Sequence, residues 1–135
     1  MKREWASFED QVRDIATVIF GPKCEKRHIA GVDVDGFIDL HDGSVVCIEI
    51  TLRRDLQKVR EDISKLVTVR NHFLGQGILP RCFIVLGDDP TDSMVRTAEG
   101  ERFTICSVSS FAAIFFEYER YRSARLIKTF GSSVV

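Results

Sequence analysis

GVDVDGFIDLHDGSVVCIEIT, residues 31–51, is the stretch whose reading decides how this chain folds. From Asp33 to Leu40 the apolar residues Val34, Phe37, Ile38 and Leu40 are interspersed with acids, the pattern of a half-covered strand. Val45 to Leu52 is β-branched and nearly all apolar, as a strand covered on both faces would be. Between them His41, Asp42, Gly43 and Ser44 form a turn, and an Asp-Gly pair between two strand patterns is a strong hairpin signal. Glu49 is the anomaly: a carboxylate in the middle of Val45, Val46, Cys47, Ile48, Glu49 and Ile50. A buried carboxylate without a partner is costly, so Glu49 calls for an arginine, a set of donors or a metal. Asp33 and Asp35 stand two apart on the preceding strand, which predicts one shared face, and the hairpin predicts that face beside Glu49. Two or three converging carboxylates suit Mg²⁺ or Mn²⁺ rather than zinc. A strand-end acid cluster facing water, with Glu49 bridged to an arginine, is the alternative. A calcium-binding EF-hand loop is excluded, because its sixth and twelfth positions would be Ile38 and Ser44 instead of Gly and Glu.

Working outward, Trp5, Phe8, Val12, Ile15, Ala16 and Ile19 recur at three- and four-residue spacing and predict a helix closed by Gly21 and Pro22. Residues 23–30 form a short, weak strand. A long helix is expected over 55–74, with Leu56, Val59, Ile63, Leu66, Val67 and Phe73 as its buried stripe and Gly75 and Gly77 at its end. Residues 82–86 and 102–108 read as strands. A last helix, capped by Ser109 or Ser110 and running to about Arg125, carries Phe111, Ile114, Phe115 and Tyr118. The expected order is α-β-β-β-α-β-β-α: a single α/β domain over residues 1–135, with a mixed central sheet flanked by helices on both faces.

The chain of 135 residues is 44% hydrophobic and 29% charged, with nine Gly and three Pro. That composition excludes intrinsic disorder and low-complexity architecture. No apolar run is long enough for a membrane helix, and the opening residues lead straight into an acid-bearing amphipathic pattern unlike a signal peptide. Cys24, Cys47, Cys82 and Cys106 form no C-x-x-C pair, and three sit in apolar runs, so they read as buried free thiols in a reducing cytoplasm. Net charge is −1, unevenly spread: residues 1–50 carry six Lys and Arg against ten Asp and Glu, residues 51–75 six against three. An acidic stretch running into a basic one fits a metal site beside a phosphate-binding surface, though chance produces it too. His28, His41 and His72 lack ligand spacing and read as incidental. Asp88, Asp89 and Asp92 read as a solvated turn. No P-loop is present, since Leu74 to Gly77 lacks the Lys-Ser/Thr pair.

Helix, three strands, helix, strand, with an acid pair before a hairpin and Glu-x-polar in its second arm, resembles the PD-(D/E)XK nuclease superfamily, the restriction-endonuclease-like fold. The resemblance spans roughly residues 5–120. It implies that Asp35, with Asp33 as second candidate, and Glu49 bind Mg²⁺ or Mn²⁺, joined by Glu9 of the first helix. The chain departs from the pattern at one position: the motif lysine is Thr51, an E-x-T variant. A threonine hydroxyl can hold water but brings no positive charge to the transition state. Some members recruit that charge from the following helix, where Lys58, then Arg54 and Lys65, are the candidates; an ordinary solvated face is the other reading, favoured for Lys65. Gln57 is also available there, and Arg70 falls in the apolar arc as a buried partner or an edge residue.

The implied activity is metal-dependent endonuclease cleavage of DNA, with Asp35, Glu49, Thr51 and Lys58 catalytic and Arg54, Lys58 and Lys65 contacting phosphates. A cutting module of a defence or repair system, acting as a homodimer or within a larger complex, is the expected setting. A catalytically inactive relative that binds DNA or protein is the alternative, and an unrelated α/β binding module with surface acids is a third. The aromatic last helix, with Phe116, Tyr121 and the trailing Arg120, Arg122, Arg125 and Lys128, reads first as core packing and second as a partner or DNA surface.

Overall fold

The computed structural model describes residues 2–130, with the side chains of residues 2–4, 118 and 121–130 set aside. Its elements are α1 (Lys2–Phe20), β1 (Glu25–Ile29), β2 (Val32–Asp39), β3 (Ser44–Thr51), α2 (Leu56–Leu74), β4 (Leu79–Leu86), α3 (Asp92–Gly100), β5 (Thr104–Ser107) and α4 (Val108–Phe130). The five strands lie in sequence order in one sheet. β1–β2 and β2–β3 are antiparallel, joined by short turns, of which the second places Gly43 at φ +89°. β3–β4 and β4–β5 are parallel, each reached by a helical crossover.

The sheet is covered on both faces. Val59, Ile63, Leu66, Val69 and Phe73 of α2, with Met94 and Ala98 of α3, pack on Val34, Phe37, Val45, Cys47 and Ile84. Phe8, Val12, Ala16 and Ile19 of α1, with Phe111 of α4, pack on Ile38, Val46, Ile48, Ile50 and Val85. Val46, Cys47 and Ile48 are wholly buried, as expected of a central strand. Burying such side chains supplies roughly 1.5–3 kcal/mol each in transfer free energy.

Two expectations need correcting. A helix, α3, stands between the last two strands: Thr91 Oγ1 caps it by accepting from the Met94 N–H at 3.3 Å, and Asp92 is its first residue rather than part of a turn. The α4 cap is Ser107, whose Oγ accepts from the Ser110 N–H at 3.2 Å, instead of Ser109 or Ser110. The four cysteines are free, with Cys106 only half-buried, and Cys47 and Cys82 are direct register neighbours on β3 and β4. On α4, Phe111 is buried and Phe115 half-buried, as core packing requires, while Phe116 is exposed. The expectations for the side chains of Tyr118, Tyr121, Arg122, Arg125 and Lys128 lie outside the described residues. Arg70 is a bonded partner: it donates to the Glu101 carboxylate at 2.8 Å and its guanidinium lies 5.2 Å from the Phe103 ring centroid.

One irregularity shapes the end of the sheet. β1 advances two residues from Glu25 to Arg27 while β2 advances three, from Val34 to Phe37, so β2 bulges at Asp35 and Gly36 opposite Lys26. Val34 and Phe37 consequently both face α2. A Cβ on Gly36 would stand 2.8 Å from Cys24 Sγ, so only glycine fits the bulge where it approaches that thiol.

Candidate active site

β2 and β3 pair from Asp39–Val45 to Gly36–Ile48, and one step further Asp35 would stand opposite Glu49. There carboxylates replace the backbone ladder. Glu49 Oε2 accepts from the Asp35 N–H at 2.9 Å, and Asp35 Oδ2 accepts from the Ile50 N–H at 2.8 Å. Asp35 lies in the stretch of β2 that bulges against β1. Two acids distant in sequence are thereby fixed at one strand end.

Glu49 and Thr51 project toward α2, and α2 answers with three ionisable side chains. The Lys65 ammonium pairs with Glu49 Oε1. Thr51 Oγ1 donates to Asp62 Oδ2 at 2.6 Å, and Lys58 Nζ donates to Asp62 Oδ1 at 2.9 Å. Glu49 and Asp62 are both 0% exposed, whereas the Lys58 and Lys65 side chains keep 45% and 31% of their surface. Three carboxylates thus face two ammonium groups. Burial, then the charge of Asp35, pushes the Glu49 carboxyl up to about 8, against the pull of Lys65 and the Asp35 N–H. Burial also raises Asp62, although Thr51 and Lys58 oppose it. For Lys65, burial works against the charge but Glu49 and Asp35 outweigh it, so its pKa rises. The ion pair wins at the half-exposed lysine and burial wins at the fully enclosed glutamate. Lys58 behaves like Lys65, with Asp62 as its main support.

The remaining expected residues lie around this cluster. Asp33 does not join Asp35: its exposed carboxylate meets His28 Nδ1 at 2.7 Å, which holds it at the rim. Glu9 is 1% exposed on α1, which covers the other face; its Oε1 accepts from Arg13 at 3.1 Å, and its buried Oε2 has no hydrogen-bond partner. Arg13 also donates to Asp10 at 2.6 Å and to the Asp35 carbonyl at 3.0 Å. Arg54 donates to the Asp89 carbonyl at 3.1 Å, drawn toward the loop after β4. Among the described residues, no group of three or more His, Cys, Asp and Glu side chains converges in a metal-holding arrangement.

Asp62 and Arg13 were not singled out from the sequence. Asp62 leaves a trace there: it stands three residues after Val59 and four before Leu66, inside the apolar stripe, where an acid is as anomalous as Glu49 in its strand. Lys65 is the reverse case, a residue read as solvated that turns inward on Glu49.

Among the described residues, no helix is long and apolar enough to cross a membrane. No protein-family model, curated protein or solved structure matches the chain.

Proposed function

We propose that this domain is a divalent-cation-dependent endonuclease that hydrolyses DNA phosphodiesters, with a restriction-endonuclease-like architecture. The observation that carries the reading is the Lys65 ammonium on Glu49 beside Thr51. The position two residues after the motif glutamate lacks its positive charge, and α2 supplies one to the same carboxylate. The element order α1-β1-β2-β3-α2-β4 supports it as well.

The residues fit a hard cation. Asp35 and Glu49 offer carboxylate oxygens at one strand end, Glu49 Oε1 is buried with the exchangeable Lys65 ammonium as its partner, and the cluster holds one more carboxylate than ammonium. Mg²⁺ commonly binds through one or two carboxylates plus substrate phosphate, so a third protein ligand is not required. Asp35 and Glu49 would hold the Mg²⁺ or Mn²⁺, which when bound lowers the pKa of a coordinated water and neutralises phosphate charge. Lys65 and Lys58 set positive charge beside the carboxylates, where negative charge develops on the phosphate oxygens. Asp62 aims Lys58 and occupies the Thr51 hydroxyl, so Thr51 serves as an anchor for Asp62. Arg13 fixes the Asp35 backbone from the other face. Arg54, with Lys58, supplies phosphate contacts that position DNA without reading its sequence.

The test is cleavage of supercoiled and linear DNA with Mg²⁺ or Mn²⁺, compared with Glu49→Ala and with EDTA. Cutting lost under both conditions supports the enzyme. The tying of Thr51 to Asp62 favours a second reading, a relative that binds DNA without cutting it. DNA retention with no cleavage, unchanged by Glu49→Ala, is its signature.

A further inference from the structure

We propose that Trp5 and Lys26 form a stacking platform for an unpaired nucleic-acid strand that leads into the Asp35–Glu49 cluster; this rests on the nuclease reading above and names its substrate class. Trp5 is 49% exposed on the first turns of α1, although a tryptophan is among the most rewarding side chains to bury. Lys26 Nζ stands 5.9 Å from its ring centroid, so the exposed ring already holds a cation beside it. An aromatic face next to an ammonium is the pairing that binds a base and its adjacent phosphate without reading sequence.

The location ties this pair to the candidate site. Lys26 lies on the edge strand β1, opposite the bulge that contains Asp35. Its ammonium is 3.7 Å from Glu9 Oε1, Glu9 accepts from Arg13, and Arg13 donates to the Asp35 carbonyl. Trp5 and Glu9 stand four residues apart on α1 and share a helix face. A continuous chain of contacts therefore runs from the ring to the residue that holds the Ile50 N–H. The outer edge of β1 is open: Glu25 to His28 are all exposed.

The geometry selects unpaired nucleotides. Inside a duplex both faces of a base are taken by its neighbours, and freeing one costs a few kcal/mol. A base in a single strand, flap or frayed end can meet the ring directly, with its phosphate on Lys26 and the next phosphates toward Asp35 and Glu49.

Trp5 is the chain's one tryptophan, so its fluorescence reports on this spot alone. The experiment titrates the full chain, in EDTA, with a 12-nucleotide single-stranded DNA and with its duplex, while Mg²⁺-dependent cleavage of both is followed in parallel. The expected result is quenching by the single strand and preference for it over the duplex by about tenfold. Trp5→Ala should weaken single-strand binding about tenfold while Trp5→Phe restores most of it. Lys26→Gln should flatten the salt dependence by roughly 0.7 in log–log slope. Binding without a fluorescence change, equal affinity for duplex, or Trp5→Ala binding as tightly as wild type overturns the platform. Duplex cleavage with a silent Trp5 removes the platform and leaves the nuclease standing. Quenching by single strands with no cleavage under any cation removes the nuclease and leaves the platform. A Trp5 signal that depends on protein concentration in the absence of DNA assigns the ring to a second copy of the chain and overturns the proposal.

Discussion

Glu9 and Glu49 are buried at the same end of the sheet, one on α1 and one on β3, and each pairs with a cation. Their cations differ. Glu9 is held by Arg13, whose guanidinium also grips Asp10 and the Asp35 carbonyl. Glu49 faces Lys65, a single ammonium on a flexible stem, and takes its other bond from a backbone N–H. A planar fork with several fixed acceptors makes a brace, whereas a lone ammonium can leave when something better arrives. The first pair is built to hold shape and the second to exchange partners.

The comparison breaks first on cleavage. Glu49→Gln should reduce Mg²⁺-dependent DNA cutting by about a thousandfold or more, while Glu9→Gln should keep it within about tenfold of wild type. Equal losses in a plasmid-nicking assay would erase the distinction between the two glutamates.

Stability gives the next effect. Arg13→Met leaves the buried Glu9 only the exposed Lys26 ammonium at 3.7 Å and should cost about 3 kcal/mol in urea unfolding. Lys65→Met should cost much less, because burial already pushes the Glu49 carboxyl up, so that it can take up a proton when the ammonium is removed. A Lys65→Met loss as large as that of Arg13→Met would make both pairs structural.

Exchange itself is tested by cation binding. Lys65→Met should cut cleavage about a hundredfold yet tighten Mn²⁺ binding about tenfold, measured by calorimetry, because the competing charge is gone. Weaker Mn²⁺ binding would turn Lys65 into a supporting residue.

The last contrast is in pH. A carboxylate raised from 4.5 to about 8 holds in the folded state a proton that the unfolded chain has released. Its contribution to stability is therefore fully present below 4.5 and declines as pH rises toward 8. The slope approaches about 1.4 kcal/mol per pH unit. Metal-free Glu49→Gln should lack this component in pH-dependent melts, and an unchanged slope would place Glu49 in a more solvated environment than its burial implies.

The hairpin of β2 and β3, the stripe of α1 and the Asp55-capped α2 were legible because each rests on a period or a turn pair within a short window. Helix α3 was not, since Met94 and Ala98 alone face the core and polar neighbours mask a stripe that short. Glu49 was legible as an acid out of place. Its link to Lys65 was not: sixteen residues separate them, and which side of α2 meets β3 depends on how the helix lies across the sheet. Alternation placed Asp33 with Asp35, and the bulge, where Gly36 lies against Cys24, cannot be read from a strict period of two.

The parallel pairing of β3 with β4 also sets when Glu49 loses its water. Glu49 lies in register with Ile84, across a crossover that contains all of α2, whereas β1, β2 and β3 are joined by short turns. Local hairpins close in microseconds, but a non-local parallel strand must first meet the loop-closure entropy of its crossover. Desolvation of the carboxylate therefore falls late on the folding path, after the hairpins exist. Substitutions at Glu49 should change the rate at which the domain unfolds far more than the rate at which it folds.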